Sequence, residues 1–289
     1  MSALDLSAFS DAVADIAEKA AAATASLARG HHTASAFHWR DGLFVTAEEA
    51  VEDDETLDLI LASGAQVKAE LAGRDPSTGV ALIRTTGSDG IPTFEMAGPP
   101  RVGSLAIAVG QAWDARLASL GTVGLVGPAW RSMRGGEIAR RINLSVTAGG
   151  RFEGGPVLDA RGALLGMLLF GPRRRVLVMP HENIANAVAA LDSKGHVARG
   201  YLGASLHPMR GAGMQGAMVM SLDDDGPAKA AGIQLGDIIV AWDGEEVSGP
   251  RELLRRLGPP SAGRTVTLGI VRGGEPRDVT VAVGEKPLA

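Results

Sequence analysis

Phe9, Val13, Ile16, Ala17 and Ala20 recur every three or four positions, which lays an apolar stripe along a helix from about Ser7 to about Ala22. From Thr24 to about Val178 the period changes. Short apolar runs broken by Gly, Pro and Asp follow one another, among them "GLFVTA", "LDLILASG", "VKAELAG", "VALIRT", "SLAIAVG", "ASLGTVGLVG", "GALLGMLLF" and "RVLVMP". Strands spaced in this way predict a closed β architecture. "PHENIANAVAALDSKG" returns to helical spacing, with Ile184, Val188 and Leu191 on the inner face and Gly195 as the stop. After Arg199 strands and helices mix: "RGYLGASL", "AMVMSL", a helical "GPAKAAG", "GDIIVAWDGEEV", a helix around "PRELLRRL", then "RTVTLGIVRGG" and "RDVTVAVG". Asp243-Gly244 and Gly273-Gly274 stand where hairpin turns belong. The expected organisation is an N-terminal amphipathic helix over 1–23, a β domain over 24–194 and an α+β module over 199–286.

Composition narrows the function classes. A chain of 289 residues suits two compact units. With no cysteine, disulfides, thiolate catalysis and cysteine-ligated metal are excluded. A net charge of −5 disfavours a nucleic-acid partner. The basic runs "WRSMRGGEIARR" and "GPRRRV" and the acidic run from Glu48 to Glu55 read as solvated loops, the last lacking the ligand spacing of a calcium loop. His31-His32 reads as an exposed turn rather than a metal pair, and no metal or cofactor is expected. Asp5, Asp11, Asp15 and Glu18 occupy the start of the chain, without a basic region followed by an apolar run. No segment has the ~18 apolar residues of a membrane span. These features predict a cytosolic location, or a periplasmic one for a processed form.

"RFEGGPVLD" holds the candidate chemistry, because it has the frame of a nucleophile turn with Glu153 at its centre. A carboxylate is a poor nucleophile toward a peptide bond. The order of motifs resembles the HtrA/DegP family of PDZ-bearing, trypsin-like serine proteases. "GLFVTAEEAV" looks like the strand that carries the family's histidine, "GRDPSTGVALIR" like the segment that carries its aspartate, and "RFEGGPVLD" like its nucleophile turn. "LASLGTVGLVG" and "VLVMPHENI" fall in register with further family strands, and "GHVARGYLGA" followed by "GPAKAAGIQLGDIIVAWDGEEV" resembles the passage into the PDZ core. The fold implied is a chymotrypsin/trypsin-like double β-barrel, mostly β, followed by an α+β PDZ domain.

Carried over position by position, the resemblance puts Glu49, Gly79 and Glu153 where the family has histidine, aspartate and serine. A triad needs a base for the nucleophile and an acid to orient that base. Arg151 and Phe152 also replace glycine and asparagine, which threatens the aim of the oxyanion-hole amides. The implied function is a catalytically inactive homologue that serves as a peptide- or protein-binding scaffold. The alternatives are a residual or non-standard endopeptidase or other hydrolase, and a chaperone-like subunit that binds through the barrel. Two facing carboxylates also suggest a glycosidase or cation site, against which aromatics at 4% weigh. Arg151, Arg173, Arg174 or Arg175 is expected to pair with Glu153.

The PDZ part of the resemblance implies a groove for peptide C-termini. Tyr201, Leu202, Gly203 and Ala204 match the family's carboxylate-binding loop, and the helix around Arg251 and Leu254 forms the opposite wall. Ligands are expected to end in a small or medium apolar residue. The family also implies trimers formed through N-terminal segments, for which the Phe9/Val13/Ile16 face is the candidate; packing of that face on its own barrel is the alternative.

Overall fold

The computed structural model describes residues 5–29, 32–51, 56–211 and 214–287; His31 and acidic positions 52–55 lie outside them. Helix α1 (Leu6–Ala22) is capped by Asp5, whose carboxylate accepts the Ser7 and Ala8 amides at 3.0 and 3.1 Å. Such a cap satisfies first-turn donors that have no partner within the helix. Val13 and Ile16 pack with Ala20 and Ala21 on the core of the chain's own β domain, while Leu6 and Phe9 remain exposed.

Strands β1 (Thr24–Arg29), β2 (His32–Arg40), β3 (Leu43–Ala47), β4 (Thr56–Ile60), β5 (Gln66–Asp75) and β6 (Val80–Thr85) close a barrel in the order β1-β2-β3-β6-β5-β4. Pairing of β1 with β4 completes it. Every residue of β3 is buried, as an apolar run covered on both faces requires. Ala25, Ser26, Ser35 and Ala36 are also fully buried, so small side chains fill part of this interior.

The second barrel follows from β7 (Leu105–Ala112) and β8 (Ala115–Gly127). A short hairpin, β9 (Trp130–Arg131) and β10 (Glu137–Ile138), separates these from β11 (Arg141–Ser145), β12 (Pro156–Leu158), β13 (Leu164–Gly171) and β14 (Arg175–Pro180). The ring runs β11-β14-β13-β12-β7-β8 and closes through β8 and β11. "WRSMRGGEIARR" is therefore a hairpin leading into a barrel strand, with Ile138 only 1% exposed, and not merely a solvated loop. Helix α2 (His181–Lys194) buries Ile184, Val188 and Leu191 and ends at Gly195 in the left-handed region.

Residues Arg131–Glu137 and Ala198–Ala289 form a second compact unit. In it β15 (Gly200–Tyr201), β16 (Ala204–Gly211), β17 (Met214–Leu222), α3 (Pro227–Ala230), β18 (Ile238–Trp242), β19 (Glu245–Glu246), α4 (Pro250–Arg256), β20 (Thr265–Arg272), β21 (Glu275–Ala282) and β22 (Gly284–Glu285) follow in chain order. The main sheet runs β16-β17-β18-β20-β21, with β19 on β18, and β15 pairs β22. Asp243-Gly244 (φ 48° and 79°) and Gly273-Gly274 (φ 58° and 91°) take the positive φ that two-residue hairpin turns demand. Among the described residues no helix is long and apolar enough to cross a membrane.

Candidate functional site

Three segments meet where the two barrels adjoin. At the end of β3 the chain enters a single 3-10 turn, Glu48–Ala50, and the Glu48 amide donates to Gly79 O at 2.8 Å. The Gly79 loop is preformed by Asp75, a buried carboxylate that accepts the Ser77 amide at 2.9 Å and the Ser77 and Thr78 hydroxyls at 2.5 and 2.6 Å. Gly79 itself has φ 74°, in the left-handed region that glycine adopts freely.

The third segment is a 3-10 turn, Gly150–Phe152, that presents Glu153. Ser35 of β2 holds it from below. Its amide donates to Glu153 O at 2.9 Å, its hydroxyl donates to Arg151 O at 2.6 Å, and that hydroxyl accepts the Gln111 amide at 2.9 Å. Thr46 of β3 donates to Ser35 O at 2.7 Å, which ties the same web back to the Glu48–Ala50 turn. Within the turn the amides of Phe152 and Glu153 donate to Gly149 O and Gly150 O, both at 3.0 Å, and are thus spent internally rather than aimed at a substrate oxygen.

Gly154 seals the junction. With φ 79°, a side chain there is strained, and an added Cβ would stand 2.4 Å from Ser35 O, 2.4 Å from Thr46 Oγ1 and 2.7 Å from Ala47 N. Gly154→Ala is expected to destabilise the double barrel by about 2 kcal/mol or more, from overpacking against backbone and the left-handed penalty together. Chemical denaturation checks it; an unchanged midpoint would show that the two barrels are not locked through this turn.

Glu153 is half-buried. Burial pushes its carboxyl pKa up, the Glu49 carboxylate pushes it the same way, and the Phe170 amide and the Arg174 charge only partly oppose them. The structure therefore brings Glu49 and Glu153 into electrostatic reach of one another. Arg174 is the arginine nearest in effect, but none of the expected ion pairs to Glu153 forms among the described residues. Its guanidinium instead stacks over the Phe170 ring, 5.0 Å from the centroid. The expected pairing is corrected accordingly: Arg151 on its own turn, Arg173 and Arg174 on the turn Pro172–Arg174, and Arg175 after it are all exposed.

The histidines with described side chains are engaged in other ways: His38 with Pro92 O at 3.1 Å, His181 with Ala97 O at 3.0 Å, His196 with Lys194 O at 3.0 Å and His207 with Pro208 O at 3.0 Å. Among the described residues no three His, Asp or Glu side chains are grouped closely enough to hold a metal ion.

The second unit carries a separate groove of about 320 Å³. Tyr201, Leu202, Gly203 and Ala204 line one side together with Leu206, and Leu254 and Leu257 line the other. Arg251 is not among the lining residues, whereas Leu206 and Leu257, not singled out in the sequence, are. Gly203 has φ 68°, and a Cβ there would meet Gly226 Cα at 2.7 Å, so the loop's path depends on glycine. The Tyr201 hydroxyl donates to the Asp223 carboxylate, which fixes the loop's outer end.

Residues 34–167 match the trypsin-like peptidase domain family and residues 200–283 the PDZ domain family. A protein of Brucella suis named a probable periplasmic serine endoprotease, DegP-like, is 29% identical over 264 residues, covering 86% of this chain and 51% of that protein. A protein of the same name from Halomonas elongata is 30% identical, over 86% of this chain and 55% of its own length. The chain thus spans about half the length of these relatives. Among solved structures, the HtrA-type protease AlgW with a decapeptide superposes with a TM-score of 0.72 at 20% identity, covering 96% of this chain and 99% of that one. The serine endoprotease from Yersinia pestis gives 0.72 at 21% identity, over 95% and 98%. Two expectations are overturned here. These relatives are named serine endoproteases, so the reading as an inactive, non-enzymatic scaffold is withdrawn, and the residual or non-standard endopeptidase held as its alternative is the better supported. The relatives are also named periplasmic, and a cytosolic location finds no support.

Proposed function

We propose that this chain, an HtrA/DegP-like protein with a trypsin-type double barrel and a PDZ domain, is a peptide hydrolase of the periplasm that works through carboxylates. What carries the reading is Glu153, half-buried on the turn where the barrels meet, with its pKa raised by burial and by Glu49. The names of the relatives support the reaction class and the compartment. An acid whose environment favours its protonated form can serve as proton donor beside a second carboxylate that serves as base. Glu49 takes a proton from a water molecule, whose oxygen attacks the peptide carbonyl carbon. Protonated Glu153 gives its proton to the departing nitrogen as the C–N bond breaks. Proton exchange between the carboxyls and solvent resets the pair. The water, not a side chain, is the nucleophile, which meets the objection that a carboxylate attacks peptides poorly.

Internally quenched peptides incubated with the full chain test the reading. Turnover should fall as pH rises through the raised pKa of Glu153, and a serine-directed fluorophosphonate should neither label the chain nor slow it. A rate no higher than that of a Glu49→Gln/Glu153→Gln double variant would overturn it.

The PDZ groove is proposed to capture peptide C-termini, its loop amides facing the terminal carboxylate and its leucines the last side chain. Free-acid peptides ending in Val or Leu-Ala should bind the full chain at least about tenfold tighter than their C-terminal amides, as expected for lost hydrogen bonds to a charged group. Calorimetric titration checks this, and equal affinities would give the groove a different role.

A further inference from the structure

The run Arg173–Arg175 does more than turn the chain. Arg173 and Arg174 have φ of 58° and 54°, whereas glycine fills most other positive-φ positions of this protein. Two successive residues with a Cβ are unfavourable there, and glycines would close the same hairpin without strain. Strain of this kind persists at sites that use the side chains concerned. The Arg174 guanidinium is set on the Phe170 ring, and Phe170 in turn presents its amide to the Glu153 carboxylate, so Arg174 stands beside the cleft. Arg151 is exposed on the Gly150–Phe152 turn itself, and Arg175 continues the hairpin on the other side. Among the described residues none of these four arginines has an ion-pair partner within 4.0 Å, although other arginines of the chain do, such as Arg84 with Asp192 at 2.5 Å and Arg131 with Glu137 at 2.7 Å. Of the acids at the site, Glu153 feels the Arg174 charge and the Glu49 charge.

We infer that Arg173 and Arg174, with Arg151 and Arg175, select acidic polypeptide segments, binding the Asp or Glu side chains that flank the bond brought to Glu153. Guanidinium groups suit this task, since each grips a carboxylate through two parallel N–H donors. Their combined field also raises the local concentration of an acidic chain before contact. Glu49 and Glu153 set the limit of the preference: they repel an acidic residue at the reacting bond itself, so the acids belong to either side of it. This inference rests on the cleft being the peptide site, and it names the substrate class that reading leaves open.

Fluorescence anisotropy on the full chain tests it with three amidated peptides of equal length, one carrying Asp and Glu around an apolar centre, one Lys, one Gln and Ser. Amidation keeps the PDZ groove from dominating. The acidic peptide should bind at least about tenfold tighter than the neutral one at low salt, with the advantage falling as salt rises. The Arg173→Ala/Arg174→Ala variant should lose the advantage while keeping the neutral peptide's affinity. Arg173→Gly/Arg174→Gly should lose it too while gaining thermal stability, which separates the side chains from the turn they strain. Glu153→Gln should tighten acidic binding. Equal affinities for acidic and neutral peptides, or a preference that survives both double variants, overturns the inference. Selective binding with no cleavage sinks peptide hydrolysis and leaves the selectivity standing; cleavage without charge preference does the reverse.

Discussion

Replacing Glu153 with glutamine is expected to lower peptide turnover by about 10²- to 10⁴-fold, the usual worth of a positioned acid or base. Glutamine keeps the size and the acceptor oxygen but cannot deliver a proton. With Glu153 as the proposed proton donor, the wild-type rate should fall as pH rises through its elevated pKa; the residual rate of Glu153→Gln should lack that limb. Stability should move the other way. Burial and Glu49 raise the folded-state pKa of Glu153 above its unfolded value, so the folded form binds the proton more tightly, and stability declines as pH climbs from the unfolded pKa through the folded one. At neutral pH the substituted chain should therefore melt above the wild type, and in acid the gap should close. Lost turnover together with gained neutral-pH stability is a combination that damage to the fold does not produce. Thermal scans and a pH–rate profile on the same preparation decide it; equal melting points at neutral pH would mean that Glu153 is solvated and unstressed.

Much of the architecture was legible from periodicity, and the exceptions share a cause. Helix α2 and its Gly195 stop, the buried run of β3 and the hairpins at Asp243-Gly244 and Gly273-Gly274 all follow from hydropathy and turn chemistry. Strands β1 and β2 escaped notice because their buried positions include Ala25, Ser26, Ser35 and Ala36, which give little contrast between inward and outward faces. A closed barrel needs small side chains where its interior narrows, and the pattern is muted there. At the site, motif order located the three segments that meet, but not the hydrogen bonds that join them. Ser35 anchors the Glu153 turn from more than a hundred residues away in sequence, and no local signal marks it. The stacking of Arg174 and its left-handed backbone were hidden for the same reason: a run of arginines announces solvation and says nothing of φ. The inactive-scaffold reading failed at a different step. Losing serine, histidine and aspartate removes one mechanism, whereas the raised pKa of Glu153 arises only once folding buries that carboxyl and brings Glu49 within electrostatic reach.

In the second unit the same logic runs with opposite sign at Asp237, a carboxylate only 1% exposed. Arg272 grips it with two bonds, Nε to Oδ1 at 2.8 Å and Nη2 to Oδ2 at 2.7 Å, while the Gln234 amide donates to it at 2.8 Å. Burial alone would raise its pKa; the Arg272 hydrogen bonds, the Gln234 amide and the charges of Arg272 and Arg277 outweigh that and hold it below the ordinary value. Arg272 also donates to Gly232 O at 2.8 Å, so the pair braces β20 against the loop after α3. Asp237→Ala leaves that guanidinium without its counter-charge and the Gln234 amide without its acceptor, and should cost the unit about 3–5 kcal/mol. Asp237→Asn, which keeps an acceptor but no charge, should cost less. A folded pKa below the unfolded value of about 3.9 means that the contribution is complete at neutral pH and is lost as pH falls through the folded value. Denaturation of the full chain followed by Trp242 fluorescence, at neutral pH and in acid, reads both effects, because Trp242 lies in this unit's core. The alanine variant should unfold this unit early at neutral pH and surrender its grip on free-acid peptides, while turnover of amidated peptides at the barrels persists. An alanine variant as stable as wild type at neutral pH would show that the pair is solvated and the brace lies elsewhere.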